Sequence, residues 1–353
     1  DVAALAGAGT LADVAVRGEP SAVLVALDAA TGAPGWKLAI DATAWSLITA
    51  LAATPDGGVL AAGSFTGTLR VADQIVSSGG RSDGFIARIT PTGGVAWLRR
   101  VGGPGADAIQ GVAMAAGAKG DERIAIAGTF AAGADLLGQP LAASEDRAPT
   151  ADGFVAELDG HGARRWVQTF GGPQDEAVAG VAIDARGRFV VAATVRETVH
   201  VAGVDLVAQG PSDGLVAWFG PGGSAATATL VGGADFDGLR AIVAAGDHVV
   251  VAGFFSGALP LGARSLTAAG GDDAFLAELA PAPDGATAVV TGALAISGPG
   301  REEVTTLTAL PGGLAAGIGH TAQLQIAGAP ALAAPADPMA GNAVILRAVP
   351  LAP

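Results

Sequence analysis

The apolar residues of this chain fall in short alternating runs. DGFVAEL at Asp152 shows the pattern: Phe154, Ala156 and Leu158 share one face of an extended strand, and Val155 and Glu157 share the other. A turn follows each such run, as TPTGG at Thr90, DGHG at Asp159 and GPGG at Gly220. A second run comes next: VAWLRRVGG from Val95, RRWVQTFGG from Arg164, ATATLVGG from Ala226. Two alternating runs around a tight turn predict a β-hairpin. A Gly-Gly step with nearby acids follows, as GGPGAD at Gly102, GGPQDE at Gly171 and GGADFD at Gly232. A second hairpin is predicted beyond it, for example VAGVAID from Val178 and FVVAATV from Phe189. A Gly-rich excursion of variable length closes each unit, such as SGALPLGARSLTAAGG from Ser256.

The unit recurs along the chain. DGFIARI at Asp83, DGFVAEL at Asp152, DGLVAWF at Asp213 and DAFLAEL at Asp273 are close copies, with weaker ones at Ser21 (SAVLVAL) and Asn342 (NAVILRA). Repeat starts near 21, 83, 152, 213, 273 and 342 lie 60 to 69 residues apart. A tandem unit of this length with four short strands predicts an all-β fold, a β-propeller of four-stranded blades, as a single domain over residues 1–353. One such sheet cannot bury both faces alone, so its neighbours must cover it. A β-sandwich, the main rival, imposes no period of this kind. The count gives five complete repeats plus a partial terminal blade. The ends are out of phase, so the expectation is six blades in full, with roughly 30 residues upstream of Asp1 supplying the missing strands.

The DGFVAEL-like strand, the strand with Trp36, Trp97 or Trp166, the Gly-Gly-acid loop and the GVAID…VVAA hairpin together resemble the bacterial β-propeller repeat called SBBP. The resemblance spans nearly the whole chain. It implies a propeller, and a place among large bacterial surface and secreted proteins. The chain departs from the pattern around Thr227 and Thr287, where Trp is replaced, and at Ser297, where SGPGREE stands for the Gly-Gly-acid loop.

Composition narrows the function classes. Half the residues are hydrophobic and 15% are charged, ample for a core. The 55 glycines and 20 prolines among 353 residues fit many turns. A net charge of −14 disfavours nucleic acid and anionic lipid as partners. With no cysteine, disulfides, thiolate zinc sites and thiol nucleophiles are excluded. No membrane insertion is expected, because the uncharged stretch from Val304 to Ala336 is broken by Pro311, Gly312, Gly313, Gly317, Gly319, Gly328 and Pro330.

No catalytic or cofactor-binding residue is assigned. His161, His200, His248 and His320 are scattered over different units, which reads as solvent or turn positions. Ser64 and Ser256 read as turn residues without a nucleophile elbow. The Gly-Gly loops lead into strands and carry no Lys, so they read as connections in which Gly supplies positive φ. Their acids are the candidates of most interest: Asp107, Asp175 with Glu176, Asp235 with Asp237, and Glu302 with Glu303. Repeated carboxylates on one rim suit Ca²⁺, with Asp107, Asp175 and Asp235 as ligands. The competing and favoured reading is that each caps backbone N–H groups of its loop. Trp36, Trp97 and Trp166 read as packing residues. Trp218 lies outside that position, as does Trp45, and an exposed Trp would be a binding anchor. The expected function is a non-enzymatic scaffold or binding module of the bacterial surface or extracellular space, holding a protein or other ligand by rim loops. The alternatives are a lectin-like carbohydrate binder and an enzyme with an axial site.

Overall fold

A computed structural model describes residues 2–6, 21–116, 121–144, 150–282, 287–310, 313–326 and 342–347. The terminal excursion up to Pro20, apart from Val2–Ala6, lies outside the described residues. So do 145–149, 283–286 and the breaks at Pro311, Gly312, Gly328 and Pro330. The described chain is all-β, with short antiparallel strands joined by tight turns. It falls into two compact units, Asp1–Thr169 and Phe170–Pro353.

Strands recur in one order. Sheet 1 pairs Val2–Ala6, Ala22–Leu27 and Pro34–Ala42. Sheet 2 runs Trp45–Ala53, Val59–Thr66, Asp83–Ile89, Val95–Gly102. Sheet 3 runs Ala108–Ala116, Glu122–Ala131, Ala151–Asp159, Arg164–Phe170. Sheet 4 runs Ala177–Ile183, Phe189–Val195, Asp213–Phe219, Ala225–Val231. Sheet 5 runs Asp237–Ala245, His248–Phe255, Asp273–Pro281, Ala288–Ser297. Sheet 6 pairs Glu302–Leu310, Gly313–His320 and Asn342–Arg347.

The sequence repeat groups these strands one hairpin out of phase with the sheets. Each Asp-Gly-Phe strand is central, pairing with the strand before the excursion as well as the one after its own turn. The Gly-Gly loop, not the excursion, carries the chain from one sheet to the next. The excursions themselves are small hairpins that sequence patterning did not resolve: Thr68–Val71 with Gln74–Ser77, Thr198–Val201 with Val204–Val207, and Ala258–Leu261 with Arg264–Thr267. Ala202 and Gly203, at φ 60° and 81°, form the two-residue turn that matches strand twist. Within the Ala131–Ala151 excursion the hairpin is Asp135–Leu136 with Gln139–Pro140. Most of Pro281–Gly298 is the fourth strand of sheet 5.

Each central strand is buried on both faces, and the two faces serve different cores. In Asp83–Ile89, Phe85, Ala87 and Ile89 pack with Leu24, Ile40 and Phe65. Ile86 packs the other way, with Trp97, Ile126 and Phe154. Sheet 5 repeats this: Phe275 and Ala277 join Val216 and Trp218, while Leu276 and Ala274 join Val304 and Ile318. Neighbouring sheets within each unit are therefore stacked face to face, which explains why alternation gives two apolar faces. An edge-to-face phenylalanine pair recurs at one place in three sheets: Phe65–Phe85, Phe130–Phe154 and Phe255–Phe275, at 6.3, 6.4 and 6.1 Å. The first strands lie side by side, Trp45–Ala53 beside Ala108–Ala116 in one unit. In the other, Ala177–Ile183, Asp237–Ala245 and Glu302–Leu310 follow in succession. Each carries a bulge, at Thr49, Gln110, Ala179, Arg240 and Thr305.

Two of the recurring tryptophans, Trp36 and Trp97, pack between sheets, whereas the Trp166 indole N–H donates to Glu157 of its own sheet. A Cβ on Gly93 would meet the Trp36 ring at 2.8 Å, and one on Gly162 would meet the Trp97 ring at 3.0 Å. Each ring thus packs against the turn glycine of the following sheet. Their indole N–H groups donate to Pro91 O at 2.9 Å and to Gly160 O at 3.0 Å.

The Gly-Gly loops correct one expectation. Gly103, Gly172 and Gly233 do not have positive φ; of the pairs at 102, 171 and 232, only Gly102 does. The second glycine is required for space. A Cβ would lie 2.5 Å from Gly133 O at Gly103, 1.9 Å from Thr198 O at Gly172 and 2.4 Å from Ala258 O at Gly233. In each case the carbonyl belongs to the excursion hairpin or the turn that leads into it. Gly172→Ala is expected to destabilise the second unit by about 3 kcal/mol, because backbone must shift to admit the methyl. Denaturant unfolding measures it, and a loss under about 1 kcal/mol would show that the hairpin yields.

Candidate functional site

The acids of the Gly-Gly loops resolve into two classes. Asp175 and Asp235, two of the three candidate calcium ligands, are exposed. Their neighbours Glu176 and Asp237 are buried, as are Asp107 and Glu302. Asp107 caps its loop: Gly103 N–H donates to Oδ2 at 2.7 Å and Ala131 N–H to Oδ1 at 2.8 Å. In Asp237 the Gly233 N–H donates to Oδ2 at 2.6 Å. Among the described residues, no three Asp, Glu or His side chains converge to hold a metal. Asp107, Asp175 and Asp235 fall in separate loops, and none is assigned as a ligand.

The buried acids have partners that sequence reading passed over. The Asp that opens each central strand is itself buried: Asp83, Asp152, Asp213 and Asp273. Each caps the end of the excursion before it. Gly79 N–H donates to Asp83 at 3.1 Å, Gln209 N–H to Asp213 at 2.9 Å, Ala269 N–H to Asp273 at 2.8 Å, and Ser144 Oγ to Asp152 at 2.8 Å. Within each unit these acids come in twos at a joint between sheets: Asp83 with Asp107, Asp213 with Asp237, Asp273 with Glu302. The signal was present as a spacing of 24 residues between Asp83 and Asp107 and between Asp213 and Asp237. At the joint before sheet 2 serines replace them: Ser21 Oγ donates to Asp41 and Ser46 Oγ accepts from Ala22 N–H, both at 3.1 Å.

Two carboxyl groups side by side in a buried joint cannot both stay ionised without a compensating charge. The first joint has one. Arg100 Nε lies 2.8 Å from Asp83 Oδ2. Even so, burial raises the pKa of Asp83 and of Asp107, with backbone donors and Arg100 pulling down. In the second unit burial, then the neighbouring acids, push Asp237 up to about 6 against the pull of the Gly233 amide. Glu302 is pushed up to about 7, by burial first and then by the Asp273 carboxyl alongside.

A second polar feature lies at the strand-connecting turns of the second unit. A cleft of about 380 Å³ is lined by Arg186, Arg188, Asp247, His248 and Pro281. Arg186 pairs with Asp247 at 2.9 Å and Arg188 with buried Asp184 at 2.6 Å. His248 Nδ1 lies 3.0 Å from Glu278 Oε1. His161 and His200 are exposed, His161 in a turn and His200 on the excursion hairpin Thr198–Val201. His320 departs from the turn reading: it is buried in a strand of sheet 6, and its Nδ1 donates to Ala322 O at 2.7 Å. Ser64 also lies inside a strand, Val59–Thr66, and is buried. The strand ladder needs residues there whatever their side chains, so turn-like composition misled. Among the described residues no helix is long and apolar enough to cross a membrane.

No family model matches the chain. No curated protein matches it either. Thirteen chains of solved structures do. One of them, described as the structure of the Dos1 propeller, superposes with a TM-score of 0.39 at 12% identity, over 74% of this chain and 63% of that one. The match thus spans under two thirds of that protein's chain.

Proposed function

We propose that the chain is a non-enzymatic β-propeller scaffold, built from SBBP-type repeats with four-stranded blades. In this reading it works at the bacterial surface or outside the cell and holds a protein or other ligand through rim loops. The observation that carries the reading is the stacking: within each unit successive sheets share cores on both faces, with their first strands side by side. Sheets related in that way leave only strand-connecting turns and loops to vary, and propellers bind through these. The cleft between the 184–188 and 245–248 turns is the docking point with the most polar groups on offer. Arg186, 65% exposed at its side chain, is the group a ligand would meet first.

A photo-crosslinking residue at Arg186, used in source cells, tests the reading. Covalent capture of a surface or secreted protein supports it. Recovery of the chain from the cytosol alone overturns the location. Specific signal on a glycan array would replace the protein partner with a carbohydrate, and the scaffold with a lectin.

A further inference from the structure

The acid joint between sheets 5 and 6 differs from the first joint in one respect that changes its chemistry. Arg100 is two residues before Gly102, directly across the ladder from Phe85, two residues beyond Asp83. The matching residue in sheet 5 is Ala295, across from Phe275 and two residues before Ser297. No guanidinium can reach Asp273 from that strand. Glu302 is fully buried, and neither of its oxygens nor Asp273 Oδ1 accepts a well-formed hydrogen bond; the Gly298 backbone amide alongside pulls toward the ionised form but is outweighed by burial and the Asp273 carboxyl. The remaining charged neighbours are engaged elsewhere. Arg301, mostly exposed, faces Asp272 at 3.5 Å, and Asp272 also accepts from Ser256 Oγ at 2.7 Å. Glu303 faces Arg240 on the first strand of sheet 5, at 3.0 Å. His320 stands opposite Glu302 in the ladder, with its Nδ1 proton given to Ala322 O. On the second strand, Asp273 is opposite Phe255, which is apolar.

We propose that Glu302 takes a proton from solvent and holds it against the Asp273 carboxyl, and that this protonated contact is a latch joining sheets 5 and 6 that opens as pH rises. The pair sits where the two sheets meet, since Glu302 N–H also donates to Asp272 O at 3.0 Å. With the proton, the Glu302 carboxyl donates an O–H to Asp273 and the pair carries one negative charge. Without it, two anions face each other in a buried joint with no cation, and the joint is pushed apart. The sign follows from linkage. Burial and Asp273 raise Glu302 from 4.5 to about 7. The folded state therefore holds the proton more tightly than the unfolded chain. Stability from this pair is complete below about 4.5 and is lost as pH rises through about 7.

Thermal unfolding of the full chain, followed from about pH 5 to about pH 8, tests it. The wild-type midpoint is expected to fall with rising pH. Glu302→Gln, which keeps a donor but cannot ionise, should lose the part of the fall centred near neutrality. A wild-type midpoint that is flat or rises, or a Glu302→Gln variant that keeps the whole fall, overturns the proposal. Should that variant not fold, Ala295→Arg supplies the missing guanidinium. It should raise the midpoint at about pH 8 and leave it little changed at about pH 5; equal midpoints at the higher pH overturn the latch. Infrared spectra give a reading on wild type alone. A protonated-carboxyl band should persist at pH 6 and vanish on titration through neutrality, and its absence at pH 6 overturns the proposal.

Discussion

Replacing Glu157 with alanine should cost about 3–5 kcal/mol. Glu157 is 3% exposed and gathers four donors. Arg123 binds it two-pronged through Nε at 2.8 Å and Nη2 at 2.9 Å, Arg165 Nη1 lies at 3.0 Å, and Trp166 Nε1 at 2.7 Å. Removing the carboxylate takes a buried acceptor from Arg123 and from the Trp166 indole N–H in a partly dehydrated site, while Arg165 keeps Asp121, and the loss at Arg123 and Trp166 dominates. Burial alone would raise the Glu157 pKa; the Arg123, Trp166 and Arg165 bonds outweigh it and hold the value below its ordinary 4.5. The linkage is opposite to that of Glu302. Stability from Glu157 is present above about 4.5 and is lost as pH falls through the lowered value. Glu157→Gln keeps acceptor and shape and should fall between wild type and alanine. Denaturant unfolding at neutral pH checks both, and a Glu157→Ala loss under about 1 kcal/mol would show that the bonds are not formed in solution.

Trp218→Ala should cost a similar amount, about 3–5 kcal/mol, for a different reason. Trp218 is fully buried and packs with Val190, Val216 and Phe275 between sheets 4 and 5. Truncation opens a cavity that strand backbones on both sides cannot close. Its indole Nε1 forms no hydrogen bond, so the polar group contributes nothing to offset its burial. Trp218→Phe therefore should cost only about 1–2 kcal/mol, since the lost N–H had no partner. The alanine-to-phenylalanine contrast separates cavity from hydrogen bond. A Trp218→Phe loss as large as that of alanine would mean that the N–H is satisfied.

Trp218 also marks where alternation stops being informative. Val216 and Trp218 share a face, but whether a strand face meets solvent or another sheet depends on what stacks against it. The structure buries all of Asp213–Phe219. The possible binding anchor is thus a core residue. The Gly-Gly loops teach the same lesson. Their composition was visible, but the reason for Gly172 is a carbonyl of Thr198, 26 residues on, that no local pattern announces. The acids of the Gly-Gly loops were legible as a recurring position. Which acid of each run turns inward, Asp237 rather than Asp235 and Glu176 rather than Asp175, was not, because neighbours in a loop differ only in direction.

Taken alone, the sequence determined most of the four recurring strands, the turns between them and their 60-to-69-residue recurrence, because alternation and turn chemistry are local properties, but not the excursion hairpins. It also set which residue types recur at each joint. The tertiary structure decided how strands group into sheets, which face of each strand meets which core, and which carboxyl groups become neighbours. Those depend on contacts between residues far apart in the chain. The difference between the joint at Asp83, with Arg100 beside it, and the joint at Asp273, with Ala295 in that place, appears only once the ladder brings these positions opposite one another.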